Sequence, residues 1–132
     1  MASQTSPALR IALVGMSGAT ATMRSRIGPI RANSQARLFL EDLIREAVAV
    51  GRGQGVPLAQ DYTERRMALV QGLSGEFTTS MQVDLSRGNR LEVPWIAGAV
   101  VEMGRQLGVA VPLNRAVSDV LALYANGSAG KH

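Results

Sequence analysis

Apolar residues recur along this chain at helical spacing, and the polar punctuation between them marks where each helix starts and stops. Pro7 to Met23 is small and apolar almost all round, as expected of a helix buried in a larger core. Ser6 can cap it, and Pro7 suits the first helical position. The next helix opens near Asn33 or Ser34. Its Leu40, Leu43, Ile44, Ala47 and Val48 follow the spacing i, i+3, i+4, i+7, i+8 and share one face. It ends at Gly55 with Val56 and Pro57 after it, the chemistry of a left-handed cap with an apolar follow-up contact. Asp61-Tyr62-Thr63-Glu64, an acidic variant of the capping box, opens a third helix with Met67, Val70 and Leu73 on its inner stripe. A short helix from about Thr78 carries Met81, Asp84 and Leu85 and stops at Gly88. From about Leu91 to Leu107 another places Ile96, Ala99, Val100, Met103 and Leu107 on one face, and Gly108-Val109 repeats the earlier ending. Pro112 prevents continuation, and a last helix covers roughly Asn114 to Tyr124. Nothing alternates with period two for long enough to be a strand. The pattern predicts an all-α domain of about six helices over 7–126, with a flexible leader at 1–6 and a disordered tail at 127–132.

A chain of 132 residues fits one domain and can bury roughly two thirds of its unfolded surface without staples. It has no cysteine, and its one histidine, His132, is the final residue. Disulfides and thiolate chemistry are thereby excluded, and a histidine triad or a metal site is not expected. The missing cysteine suits a reducing cytoplasm. The longest apolar stretch, Ile11 to Ala21, is interrupted by Gly15, Ser17 and Gly18. It falls short of the ~20 residues a membrane span needs, so a soluble chain is expected. The net charge is +4, carried almost wholly by arginine, and Arg24, Arg26 and Arg31 are the tightest cluster. Such a cluster could meet phosphates, or it is a solvated loop. Carboxylates interleave the other arginines and the few aromatic residues are scattered, so no nucleic-acid partner is expected.

The segment Arg10-Ile11-Ala12-Leu13-Val14-Gly15-Met16-Ser17-Gly18 offers a competing reading, a first strand running into a phosphate loop. Its Gly-x-x-Gly spacing lacks the middle glycine where backbone must approach a pyrophosphate. The region about 20 residues on holds Ile30-Arg31-Ala32-Asn33-Ser34, not a second strand with an acidic end. The helical reading is therefore the stronger.

The most informative stretch runs from Ser80 to Asn114. It reads Ser80-Met81-x-x-Asp84-x-x-x-Gly88-x-x-x-Glu92-x-x-x-x-x-Gly98, then Gly108-x-x-x-Pro112-x-Asn114. Taken alone, Ser80 is a helix-terminal residue satisfying backbone donors or a ligand for a small acid. Glu92 taken alone is a solvated residue in a helix's first turn. The set as a whole closely resembles the C-terminal domain of ketopantoate reductases (2-dehydropantoate 2-reductases), an all-helical domain of the 6-phosphogluconate dehydrogenase C-terminal-like kind. Gly18-Ala19-Thr20, the Ile27-Gly28-Pro29-Ile30 loop and the Gly55-Val56 ending also look like that domain, so the resemblance spans about Leu9 to Tyr124.

The resemblance implies a substrate-binding and dimerisation domain of an NADPH-dependent oxidoreductase of pantothenate biosynthesis, reducing a 2-keto acid to a 2-hydroxy acid. It implies that NADPH sits on a separate N-terminal domain, so this chain should bind no cofactor alone. Matched to the family, Glu92 falls at the cleft glutamate and Ser80 at a substrate-binding serine. Asp84 is expected to hold a helix terminus, and Asn114 to cap the last helix. The departures are as informative. The family's catalytic lysine falls at Leu9, and its asparagines at Leu13, Ser17 and near Phe77, of which only Ser17 stays polar. Arg10 holds its proton too tightly to be a general acid at neutral pH, and the one lysine, Lys131, lies in the tail. The isolated chain is expected to be catalytically inactive and to self-associate as a dimer. The alternative is a non-enzymatic helical module that binds a small acid or self-associates.

Overall fold

The computed structural model describes residues 7–93 and 96–127, with residues 7–13 described by backbone alone. Among them are seven helices and no strand. These are α1 (Pro7–Met23), α2 (Ile27–Ala32), α3 (Ser34–Gly53), α4 (Tyr62–Gly72), α5 (Ser80–Arg87), α6 (Ala97–Leu107) and α7 (Pro112–Ala122). The all-α reading holds, with one helix more than expected. The leader at 1–6, including Ser6, and residues 128–132 lie outside the described residues.

The centre of the fold is α3, against which α1, α2, α4, α6 and α7 all pack. Its predicted stripe of Leu40, Leu43, Ile44, Ala47 and Val48 is buried, each large side chain contributing about 1.5–3 kcal/mol. The α1–α3 seam is tight because α1 presents glycine there: a Cβ on Gly15 would run into the Ile44 side chain. Gly18 meets Leu43 and Val117 of α7 across the same seam. Both glycines of the supposed phosphate loop are thus packing sites inside a helix, which overturns the strand-and-loop reading.

Local signals gave several helix ends correctly. The Asn33 side chain accepts from Ala36 N–H at 2.9 Å and caps α3. Gly55 and Gly108 adopt φ of +87° and +70°. The following amides then reach back, Val56 N–H to the Gly51 carbonyl and Val109 N–H to the Gly104 carbonyl, each at 2.9 Å.

Elsewhere the structure corrects the sequence. Ile27-Gly28-Pro29-Ile30 is not a loop but the body of α2. A helix this short cannot hold itself; Ile27 and Gly28 donate their N–H groups to the Phe77 and Gly75 carbonyls, both at 2.9 Å. The arginine cluster is engaged, not simply solvated. Arg24 lies over the Tyr124 ring at 5.5 Å, and Arg26 donates to the Glu76 carbonyl at 2.8 Å. Arg31 donates to the Val70 carbonyl at 2.9 Å and to Leu73, closing the end of α4. Asp61 does not cap α4 through its side chain but pairs with Arg65 at 3.0 Å. The helix predicted from Leu91 begins only at Ala97, because Leu91 N–H is drawn to the Ala125 carbonyl at 2.9 Å. Its buried face is Ala97, Val100 and Gly104, leaving Leu107 exposed. Finally, α7 starts at Pro112, and Val111, not Asn114, is its cap residue.

Asn114 is instead fully buried. Its amide donates to the Leu43 carbonyl at 3.3 Å and to Glu46 Oε1 at 2.9 Å. The Glu46 carboxylate also accepts Leu113 N–H and Asn114 N–H, each at 2.9 Å. A side chain on α3 therefore caps α7 across the core.

Candidate functional site

Ser80 opens α5, and α5 packs directly on α1. Thr79, not Ser80, caps the helix: its side chain accepts from Gln82 N–H at 3.4 Å. Thr79 Oγ1 also lies 2.7 Å from Thr20 Oγ1 in the buried α1–α5 seam, and Thr20 Oγ1 lies 2.8 Å from the Met16 carbonyl. With its capping duty taken by Thr79, Ser80 stands exposed to solvent.

Ser17 lies on α1 one turn before Thr20 and is buried. Positions 9, 13 and 17 are spaced four apart along α1, so they share one helix face. The side chains of Leu9, Arg10 and Leu13, and Lys131 altogether, lie outside the described residues. Glu92 is exposed on the segment between α5 and α6, not in a helical first turn. Its carbonyl accepts Ile96 N–H at 3.1 Å, and its neighbour Leu91 is anchored to Ala125. Glu92 enters no ion pair among the described residues. Asp84 does serve a helix end: it accepts from the Asn89 amide at 3.2 Å, just past α5. The structure thus brings α5, the helix that Ser80 opens, against α1, the helix of Ser17, while Glu92 lies on the segment between α5 and α6.

Among the described residues no group of His, Cys, Asp and Glu could hold a metal ion, and no helix is long and apolar enough to cross a membrane. The segment holding Gly15 and Gly18 does not form a pyrophosphate site either. Gly15 and Gly18 sit mid-helix with their faces against Ile44, Leu43 and Val117, leaving no loop of free amides for a pyrophosphate. An open groove of about 550 Å³ lies at the other end of α1, lined by Thr22, Met23, Ile30, Asn33 and Phe39 among others and by none of the predicted site residues.

Residues 11–125 match the family model described as the ketopantoate reductase PanE/ApbA C terminal. The chain belongs to this ketopantoate reductase C-terminal domain family. A 2-dehydropantoate 2-reductase from Halobacterium salinarum is 34% identical over 111 residues, covering 83% of this chain and 36% of that protein. The chain therefore spans little more than a third of that relative's length. Among solved structures, a dimeric ketopantoate reductase from Staphylococcus aureus superposes with TM-score 0.84 at 23% identity, over 90% of this chain and 41% of that one. A PanE/ApbA family ketopantoate reductase from Ralstonia eutropha gives 0.80 at 25% identity, over 90% and 40%. The all-helical fold and the family are those the Ser80–Asn114 spacing indicated.

Within this ketopantoate reductase domain, sequence reading missed three polar residues. Thr20 is visible only as part of Gly18-Ala19-Thr20, and its pairing with Thr79 carries no local sign because the two are 59 positions apart and each is an ordinary helix or cap residue by local pattern. Glu46 lies on the polar edge of the α3 stripe, and nothing within a helical turn of it names Asn114 as its partner. A pairing of this kind carries no short-range signal.

Proposed function

We propose that this domain is the substrate side of a ketopantoate reductase-like oxidoreductase that converts a 2-keto acid to a 2-hydroxy acid. The observation that carries the reading is Ser80, exposed at the first turn of a helix that Thr79 both caps and ties to α1. In this reading the Ser80 hydroxyl donates to the substrate carboxylate, a charge-assisted bond roughly twice as strong as a neutral one. Ser17 belongs to the α1 wall of the same cleft. The Glu92 carboxylate accepts from a ribose hydroxyl or pairs with an ammonium group. In this reading NADPH sits mainly on a separate N-terminal domain, since the segment holding Gly15 and Gly18 is packed mid-helix and offers no pyrophosphate loop. The proton donor is absent: leucine at position 9 has no proton to give. We place the protein in the cytoplasm, as a homodimer serving pantothenate synthesis. Exposed Val120 and Leu123 on one side of the α7 end support self-association, as does the dimeric Staphylococcus aureus neighbour.

An amide NMR titration of the chain with ketopantoate tests the binding half. Saturable shifts clustered at Ser17, Ser80 and Glu92 are expected, and scattered or absent shifts would refute it. Fusion to an NADPH-binding domain tests the chemistry. The unmodified fusion should reduce ketopantoate poorly, and Leu9→Lys should raise the rate by about 10²–10⁴-fold, the worth of a positioned general acid. A normal rate without that change would show that Leu9 is not the lysine position.

Leucine at both 9 and 13 favours a second reading, a small-acid-binding or self-associating module without chemistry. Its outcome is saturable keto-acid binding with no reduction even after Leu9→Lys.

A further inference from the structure

The α1–α5 seam holds a hydroxyl chain whose direction is forced. The Met16 carbonyl can only accept, so the Thr20 proton is committed to it at 2.8 Å. Gln82 N–H can only donate, and it donates to Thr79 Oγ1 at 3.4 Å. The 2.7 Å contact between the two hydroxyls is therefore a donation from Thr79 to Thr20. Thr79 gives one hydrogen bond and receives one; Thr20 receives one and gives its proton to the Met16 carbonyl, with the Ser17 carbonyl a longer second acceptor at 3.4 Å, and both threonines are buried. Replacing a buried hydroxyl pair by two methyl-bearing residues of the same shape is close to neutral for stability. What the pair supplies that apolar packing would not is orientation: it locks the Thr79 side chain, a β-branched residue with few alternatives at χ1, onto one point of α1. Ser80 is the next residue along the chain, and Ser17 is one turn back from Thr20.

We propose that Thr20 and Thr79 are positioning residues for Ser80, fixing the backbone from which its hydroxyl projects by tying the first turn of α5 to α1. This rests on the substrate-side reading of Ser80 given above. Neither threonine touches substrate; both act by holding the first turn of α5 in register with α1.

The test is a keto-acid titration of the 132-residue chain with ketopantoate, followed by amide NMR, in wild type, Thr20→Val, Thr20→Ser, Ser80→Ala and the Thr20→Val/Ser80→Ala double variant. Thr20→Val should weaken binding about two- to tenfold, the worth of one misplaced hydrogen bond. Thr20→Ser, which keeps the hydroxyl, should stay near wild type. In the Ser80→Ala background Thr20→Val should cost nothing further, because there is no hydroxyl left to position. An equal loss in both backgrounds would mean that Thr20 merely holds the fold, and would overturn the proposal. In the free chain Thr20→Val should also move the Ser80 and Gln82 amide resonances; unchanged resonances overturn it without any ligand. Thr20→Ala serves as the second removal should valine disturb folding, which circular dichroism reports. If wild type binds but Ser80→Ala binds equally well, or wild type does not bind at all, the substrate-side reading of Ser80 fails and this role fails with it. Loss in Ser80→Ala without loss in Thr20→Val isolates the failure to the threonine pair.

Discussion

Removing the Glu46 carboxylate should be among the more damaging single changes outside the apolar core. Its two oxygens accept Leu113 N–H, Asn114 N–H and the Asn114 side-chain amide, each at 2.9 Å. Pro112 has no N–H to offer, so Leu113 and Asn114 carry the first free donors of α7. Losing a helix cap costs about 0.5–2 kcal/mol, and the carboxylate adds roughly 0.3–1 kcal/mol against the helix dipole. Glu46→Ala also leaves the buried Asn114 amide with one acceptor, the Leu43 carbonyl at 3.3 Å, a penalty of about 1–3 kcal/mol. These contributions overlap, so the expected loss is about 2–4 kcal/mol, a large part of the ~5–15 kcal/mol that holds a typical domain. Glu46→Gln keeps the carbonyl acceptor but loses the charge and turns an NH₂ toward donors, and should cost about half as much. Urea unfolding followed by circular dichroism measures both, with unchanged m-values confirming that stability alone moved. Glu41→Ala is the control, since its exposed pairing with Arg45 should matter by less than about 0.5 kcal/mol. A Glu46→Ala loss no larger than that of the control would refute the cross-core cap.

Gly15→Val should destabilise by about 1–3 kcal/mol through collision with Ile44, whereas Gly72→Ala, with open space around it, should stabilise by up to about 0.5–1 kcal/mol. Thermal unfolding of the two variants checks this, and equal effects would deny that the α1–α3 seam is closed by glycine. Arg31→Met removes the guanidinium that donates to the carbonyls ending α4 and should speed amide exchange over the last turn of α4 and residues 73–77 before it affects α3. Uniform exchange changes would show that the capping is not local. Burial pushes the Tyr62 phenol above its ordinary value of about 10, against the opposing charge of Arg66. Its folded value exceeds its unfolded one, so this contribution to stability is intact below pH ~10 and is lost as pH rises through the folded value. An ultraviolet titration of Tyr124→Phe should place the Tyr62 midpoint higher in the folded chain than in urea; identical midpoints would contradict the burial.

What the sequence determined by itself was whatever is written within about six residues. The Asn33 cap reaches Ala36, the Gly55 and Gly108 endings reach back five residues, and the α3 stripe repeats every turn. No distant partner is needed for these, so α1 and the start of α3 fall where the pattern put them, although the Asp61 box shows that a local signal can still be overridden. The family was legible for a related reason: the Ser80–Asn114 spacing is a string of turns, caps and helix contacts in one continuous stretch, and it indicated the family to which the 11–125 match also assigns the chain. Tertiary structure alone decided the rest. α2 exists because Ile27 and Gly28 find carbonyls at Phe77 and Gly75; the helix after Glu92 starts late because Leu91 is drawn to Ala125. Asn114 is a buried partner of Glu46 and no cap, Ser80 is freed for solvent because Thr79 takes the capping role, and Thr79 in turn is set by Thr20. Apart from the Thr79 cap itself, which reaches only Gln82, each of these joins groups that are tens of residues apart. A buried donor or acceptor must be satisfied by whatever the packed core brings within about 3 Å, and only the assembled helices determine which residue that is.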